Sequence, residues 1–108
     1  MTTEIVINTV VKATGVTIDQ LRSPSRVEHI CNARHIAAYA LHVMLGNSLN
    51  VAGYIINRNH ATVLQSCRVC EEWIKEPRVN PIGAHLLKQV ISTLTEGEGD
   101  YINPKQKN

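Results

Sequence analysis

Between Ser48 and Leu64 the chain reads Ser-Leu-Asn-Val-Ala-Gly-Tyr-Ile-Ile-Asn-Arg-Asn-His-Ala-Thr-Val-Leu, and this run leaves few folds open. An apolar segment containing Gly53 gives way to polar punctuation at Asn57-Arg58-Asn59, after which helical periodicity restarts with short polar groups at its head. Such a pattern specifies two helices joined by a tight turn, the grammar of a helix-turn-helix. That motif seats the start of its second helix in the DNA major groove while the first helix crosses the backbone. The residues so placed would be Asn59, His60, Ala61, Thr62 and Gln65. Asn and Gln can pair with adenine through two hydrogen bonds, Thr and Ala can meet a thymine methyl, and an imidazole can donate or accept at a base edge. An ordinary helical hairpin with a polar turn shows the same local pattern, so the rest of the chain has to decide.

The flanking sequence is helical throughout. Val6, Val10 and Ala13 recur at helical spacing over residues 3 to 14, before Gly15. Thr17 can cap a short second helix through Leu21, and a Ser23-Pro24-Ser25 loop then delivers Arg26. From about Val27 to Leu45, Ile30, Ala33, Ala37, Leu41 and Met44 line one face while Ile36, Ala38, Ala40 and Val43 cover others. A helix apolar nearly all round belongs at the centre of a fold. Gly46 ends it and Ser48 caps the next. In the candidate recognition helix, Val63, Cys67, Cys70 and Ile74 form a stripe opposite Ala61, Gln65, Arg68 and Glu72. Asn80-Pro81 starts a last helix to about Leu94.

At 108 residues, such a chain makes one domain around one core. With no Phe, that core is aliphatic, and Trp73 is its largest piece. The formal net charge of +2 is far from the strongly basic character that announces a nucleic-acid partner by itself. The excess nevertheless lies before Glu76, where Lys12, Arg22, Arg26, Arg34, Arg58, Arg68 and Lys75 outnumber Glu4, Asp19, Glu28, Glu71 and Glu72. Three cysteines without a secretory leader point to a reducing cytoplasm, and Ile5-Val6-Ile7 is too short to cross a membrane. The segment from Glu96 to Asn108 reads as a loose polar tail, leaving 1–95 as the folded unit.

Specific residues carry a resemblance. Arg58-Asn59-His60-Ala61-Thr62-Val63-Leu64 is similar to the Arg-Asp-His-(Ser/Thr)-Thr-Val-Leu signature that closes the DNA-binding domain of the bacterial replication initiator DnaA. Asn32 to Tyr39 resembles the family's Pro/Ala-Arg-Gln-Ile-Ala-Met-Tyr element, Ser48-Leu49 with Gly53 its Ser-Leu-x-x-Ile-Gly, and Val16 to Leu21 the approach to its basic loop. The similarity runs over roughly residues 4 to 95, in the family's order. It implies an all-α, Trp-repressor-like bundle of about six helices that binds double-stranded DNA in replication initiation or its regulation.

Four departures stand out. Asn59 replaces the family's acid, Ala61 replaces its first hydroxyl, the Phe-Gly-Gly turn has become Ile56-Asn57, and the stretch between Gly53 and His60 is one residue shorter. Asn can adopt the left-handed backbone that a glycine would supply. A carboxylate accepts from cytosine whereas Asn suits adenine, so the exchange at Asn59 predicts a changed base preference.

The resemblance further assigns Arg34 and His35 to the DNA backbone or groove, and Arg26 to the minor groove, where a narrow A·T tract concentrates negative potential. Glu28 cuts against the basic character of that loop. Ser48 and the first amides of its helix are placed to grip a phosphate, and Arg58 is a further candidate for one. Cys67-x-x-Cys70 lies on the apolar stripe and suits buried packing better than a metal, which needs about four ligands. His35 and His42 stand about 10 Å apart along their helix, too far for one ion. With no Gly-rich phosphate loop and no nucleophile beside an activating base, no enzyme, nucleotide or cofactor is expected. Glu28, Asn59, Ala61 and the mild charge motivate a second reading, a protein-interaction adaptor that kept the fold and lost DNA binding. Oligomeric state is not legible.

Overall fold

A computed structural model describes residues 1–102, with side chains through Glu96. It contains six α-helices and no strand among the described residues: α1 (Thr3–Thr14), α2 (Ile18–Arg22), α3 (Glu28–Tyr39), α4 (Leu49–Ile56), α5 (His60–Lys75) and α6 (Pro81–Ile102). The helix-turn-helix is α4 and α5. No described helix is long and apolar enough to cross a membrane.

Local chemistry sets each boundary. Thr2 caps α1 by accepting from the Ile5 amide, and Gly15 ends that helix with a left-handed φ of 74°. Thr17 and Gln20 close a reciprocal capping box on α2. Asn80 Oδ1 accepts from the Gly83 amide at 3.0 Å, starting α6 at Pro81. The last helix runs to Ile102, past the end near Leu94 that the sequence suggested. Of the predicted loose tail, 103–108 lie outside the described residues.

Helix α3 is central: it packs against all five other helices. Small side chains make that possible. Ala33, Ile36, Ala37, Ala38, Ala40 and Leu41 are buried, so neighbouring helices approach closely on every side, while Val43 stays about half exposed. Its continuation, Ala40–Met44, is a π-turn in which the Leu45 amide donates to Ala40 O five residues back at 2.9 Å.

The buried stripe of α5 differs from the predicted one. Val63, Ser66, Cys67, Cys70 and Trp73 face the core, whereas Ile74 is 51% exposed. The cause lies in α6, where Gly83 has no side chain; a Cβ there would come within 2.8 Å of the Trp73 ring. The indole fills that space and turns the stripe toward residue 73.

Gly53 permits the other close approach. A Cβ at this position would overlap the carbonyl oxygen of Arg58 and crowd Val63 Cγ2 at 3.3 Å. Because the obstacle is backbone, the turn itself would have to move. Gly53→Ala is therefore expected to cost about 2 kcal/mol, measured as a lowered urea midpoint with unchanged slope.

Candidate nucleic-acid interface

Helix α4 ends with Asn57 in the left-handed region, at φ 61° and ψ 47°. Two residues later Asn59 starts α5, its Oδ1 accepting from the Thr62 amide at 2.8 Å. This cap is the answer to the acid-to-amide exchange. An Asp and an Asn cap a helix about equally well, so the replacement keeps the turn, and the oxygen expected to read adenine is aimed at its own helix. Asn59 thus caps α5 through Oδ1, while its exposed Nδ2 makes no hydrogen bond among the described residues.

The next residues stand clear of the core. His60, Ala61, Thr62 and Gln65 are all exposed, with Arg68 on the following turn also exposed. They form a solvent-facing first turn and a half, presenting an imidazole, a methyl, a hydroxyl and a carboxamide. Ser48 is exposed too, and its hydroxyl accepts from the Val51 amide at 3.1 Å, as the cap of α4.

Beside this turn lies a guanidinium cluster. Arg26 is exposed on the loop between α2 and α3. Together with Pro24, Ser25, Arg34, Asn57 and Arg58 it lines an open cleft of about 540 Å³. Among the described residues, none of Arg22, Arg26, Arg34 and Arg58 is ion-paired with a carboxylate. The charges of the exposed Arg22 and Arg26 are left for a ligand or for solvent.

Arg34 is not the surface contact the resemblance suggested. It is 7% exposed, its Nε donating to Leu21 O at 2.9 Å and its Nη2 to Ser23 O at 3.0 Å and Gln20 O at 3.4 Å. Gln20 O also accepts from the Ser23 amide and hydroxyl, and the guanidinium completes the hydrogen bonding of the carbonyls that close α2. Arg34 therefore organises the loop that carries Arg26. Arg58 is half-buried and similarly engaged, donating to Asn57 O at 2.8 Å and to Ser23 O at 2.6 Å. Partial burial and the nearby Arg34 charge press its pKa below the ordinary arginine value.

His35 also turns inward. Its Nδ1 lies 2.8 Å from Ser66 Oγ and its ring meets Trp73 edge-on at 5.9 Å. The imidazole thus ties α3 to α5, because its helix face is packed against α5. Burial, with the Arg34 charge adding to it, lowers its pKa from the usual 6.5. The unfolded chain then binds a proton more readily than the folded one, so stability contributed by neutral His35 is complete above about pH 6.5 and is lost as pH falls through the lower folded value. Urea midpoints are expected to drop between pH 7.5 and pH 5.5, and His35→Gln is expected to flatten that part of the profile.

Cys67 and Cys70 pack in the core, where their thiols donate to Ala38 O at 3.8 Å and His35 O at 3.3 Å. Burial pushes the Cys67 thiol up to about 11 and raises Cys70 as well. Both stay protonated at neutral pH, which suits packing and not thiolate chemistry.

Sequence reasoning overlooked Arg22. Its Nη1 donates to Tyr54 O at 2.8 Å and to Ile55 O at 2.7 Å, closing the end of α4 from 32 residues away. Nothing in the spacing of the chain signals a contact of that range; only its place in the last turn of a short helix beside the basic loop hinted at a role.

A family model for the bacterial DnaA protein helix-turn-helix matches residues 3–69. The chromosomal replication initiator protein DnaA of Picosynechococcus sp. is 32% identical over 107 residues, covering 97% of this chain and 21% of the relative. The protein of the same name from Thermodesulfovibrio yellowstonii is 29% identical over 96 residues, 88% of this chain and 21% of the relative. The chain spans about a fifth of the length of these curated relatives. A central α3, a capped α4–α5 turn on Gly53 and an exposed His60–Thr62 head now agree with the family match over most of the chain: it belongs to the bacterial DnaA helix-turn-helix family.

Proposed function

We propose that this chain binds double-stranded DNA sequence-specifically, with the first turn of α5 in the major groove. The observation that carries the reading is the exposure of His60, Ala61, Thr62 and Gln65 beside four guanidinium groups that no described carboxylate neutralises. His60, Thr62 and Gln65 supply hydrogen bonds to base edges and Ala61 a methyl contact. Arg26 extends toward the adjacent minor groove, and Ser48 with the first amides of α4 holds a phosphate. Arg58, Arg22 and the helix ends add a positive field along the backbone. No catalytic step and no bound nucleotide enter this reading. The setting it suits is replication initiation or its control, at sites resembling those of the initiators named above.

Fluorescence anisotropy with an initiator-box duplex and a scrambled control tests it. Tighter binding to the box is expected, with log affinity falling against log salt by about 0.9 per phosphate contacted. Equal, weak binding to both duplexes, or none at low salt to a random pool, would instead favour an adaptor that retains only the fold.

A further inference from the structure

We propose that Arg22 and Asn57 are positioning residues that lock the Arg26 loop to the turn between α4 and α5, making one rigid head that reads both grooves at a fixed spacing. The inference rests on the DNA-binding reading above and adds to it two residues that touch no base.

The contacts are reciprocal. Arg22 Nη1 reaches across to the last carbonyls of α4, Tyr54 O and Ile55 O, while Asn57 Nδ2 returns a hydrogen bond to Arg22 O at 3.1 Å. One residue further along, Ser23 O accepts from both Arg58 and Arg34. Every backbone carbonyl from Gln20 to Ser23 thus receives a side-chain donor from α3 or from the turn. Three residues beyond Ser23 stands Arg26, with Ser25 held by the Ser23 hydroxyl at 3.3 Å. Little slack remains between the turn and the loop.

The residue choice at position 57 supports the same conclusion. The left-handed backbone there suits glycine best. An asparagine keeps that conformation and adds a carboxamide donor that glycine lacks, and this donor is the one spent on Arg22 O. Arg22, for its part, places a cation at the negative end of the α4 dipole, so its hold is electrostatic as well as directional.

Two grooves can be read together only if the two probes keep their separation. A slack loop would still attract phosphates through Arg26, because that attraction is long-ranged, but would lose its ability to tell A·T from G·C, which depends on sensing the guanine 2-amino group at the groove floor. Loss of the lock therefore separates affinity from minor-groove discrimination.

The experiment uses the full chain, a preferred duplex selected from a random pool, and three variants: Arg22→Met, Arg22→Lys and Asn57→Gly. At the base pairs facing Arg26, A·T and inosine·C are expected to bind alike and about tenfold tighter than G·C. Arg22→Met and Asn57→Gly should bring that ratio to within about twofold while leaving discrimination at the pairs facing His60 and Thr62 intact. Arg22→Lys, which retains three donors and the charge, should recover most of it. Asn57→Gly decides the matter if Arg22→Met fails to fold, since glycine accepts φ 61° without strain. If the unaltered chain prefers no duplex, the DNA-binding reading falls and the positional role with it. If it prefers a site but shows no minor-groove discrimination, or if Arg22→Met and Asn57→Gly retain the original ratio, only the positional role is overturned.

Discussion

Arg34→Ala is expected to lower the unfolding free energy by about 3 kcal/mol, a cost set by the Leu21 carbonyl left without its donor and by the space the buried side chain vacates. The guanidinium is 7% exposed and serves Gln20 O, Leu21 O and Ser23 O at once. Without it Gln20 O keeps the Ser23 amide and hydroxyl and Ser23 O keeps Arg58, so Leu21 O is the carbonyl that loses its donor. Thermal melting would register the loss as a fall of about 15 °C for a domain of this size. The DNA-binding consequence separates two roles that sequence resemblance alone merges. A surface arginine on a phosphate would leave the melting temperature alone, weaken all duplexes about equally and reduce the salt slope by about one unit. A loop organiser instead lowers stability and blunts the discrimination delivered by Arg26, with the salt slope nearly unchanged. Melting curves, together with salt titrations against two duplexes, distinguish the outcomes; a normal melting temperature with a reduced slope would return Arg34 to the backbone.

The architecture was open to sequence reasoning because its determinants are local. Gly15, Thr17, Gly46, Ser48 and Pro81 mark helix ends by capping chemistry that acts over three or four residues. The all-round apolar pattern of Ile30 to Leu41 placed α3 in the middle, where it packs on every other helix. The exposed head at His60, Ala61, Thr62 and Gln65 was legible for the same reason, as the face left over once Val63, Cys67 and Cys70 are assigned to the core.

What stayed hidden depends on contacts between residues far apart in the chain. Periodicity cannot say that a charged side chain such as Arg34 turns inward, because its partners are backbone carbonyls 11 to 14 residues away. His35 was hidden by Ser66, 31 residues on, and Arg22 by Tyr54 and Ile55. The cap formed by Asn59 was hidden differently. Its amide was weighed for base recognition, yet a residue immediately before a helix is more constrained by the unsatisfied amides of that helix than by a ligand. The cap at 2.8 Å from the Thr62 amide makes the change from acid to amide a conservative one for the turn.

His60→Glu and Thr62→Glu should each erase sequence discrimination, with affinity for the preferred duplex falling at least about 100-fold. Two effects act together. A base-edge contact is removed, and a carboxylate is brought into a groove flanked by phosphates, where like-charge repulsion opposes entry. Stability should barely move, because both positions are exposed and neither side chain hydrogen-bonds within the fold among the described residues. A glutamate so early in α5 even complements the positive end of its dipole, so a folding defect cannot account for the lost binding. His60→Ala and Thr62→Ala then divide the two terms: each should lose about 10-fold in affinity for the selected site while retaining the salt slope, since only the base contact is gone. Retention of full discrimination by both glutamate variants, with melting unchanged, would move the reading surface away from the head of α5 and leave the adjacent guanidinium cluster without a major-groove partner.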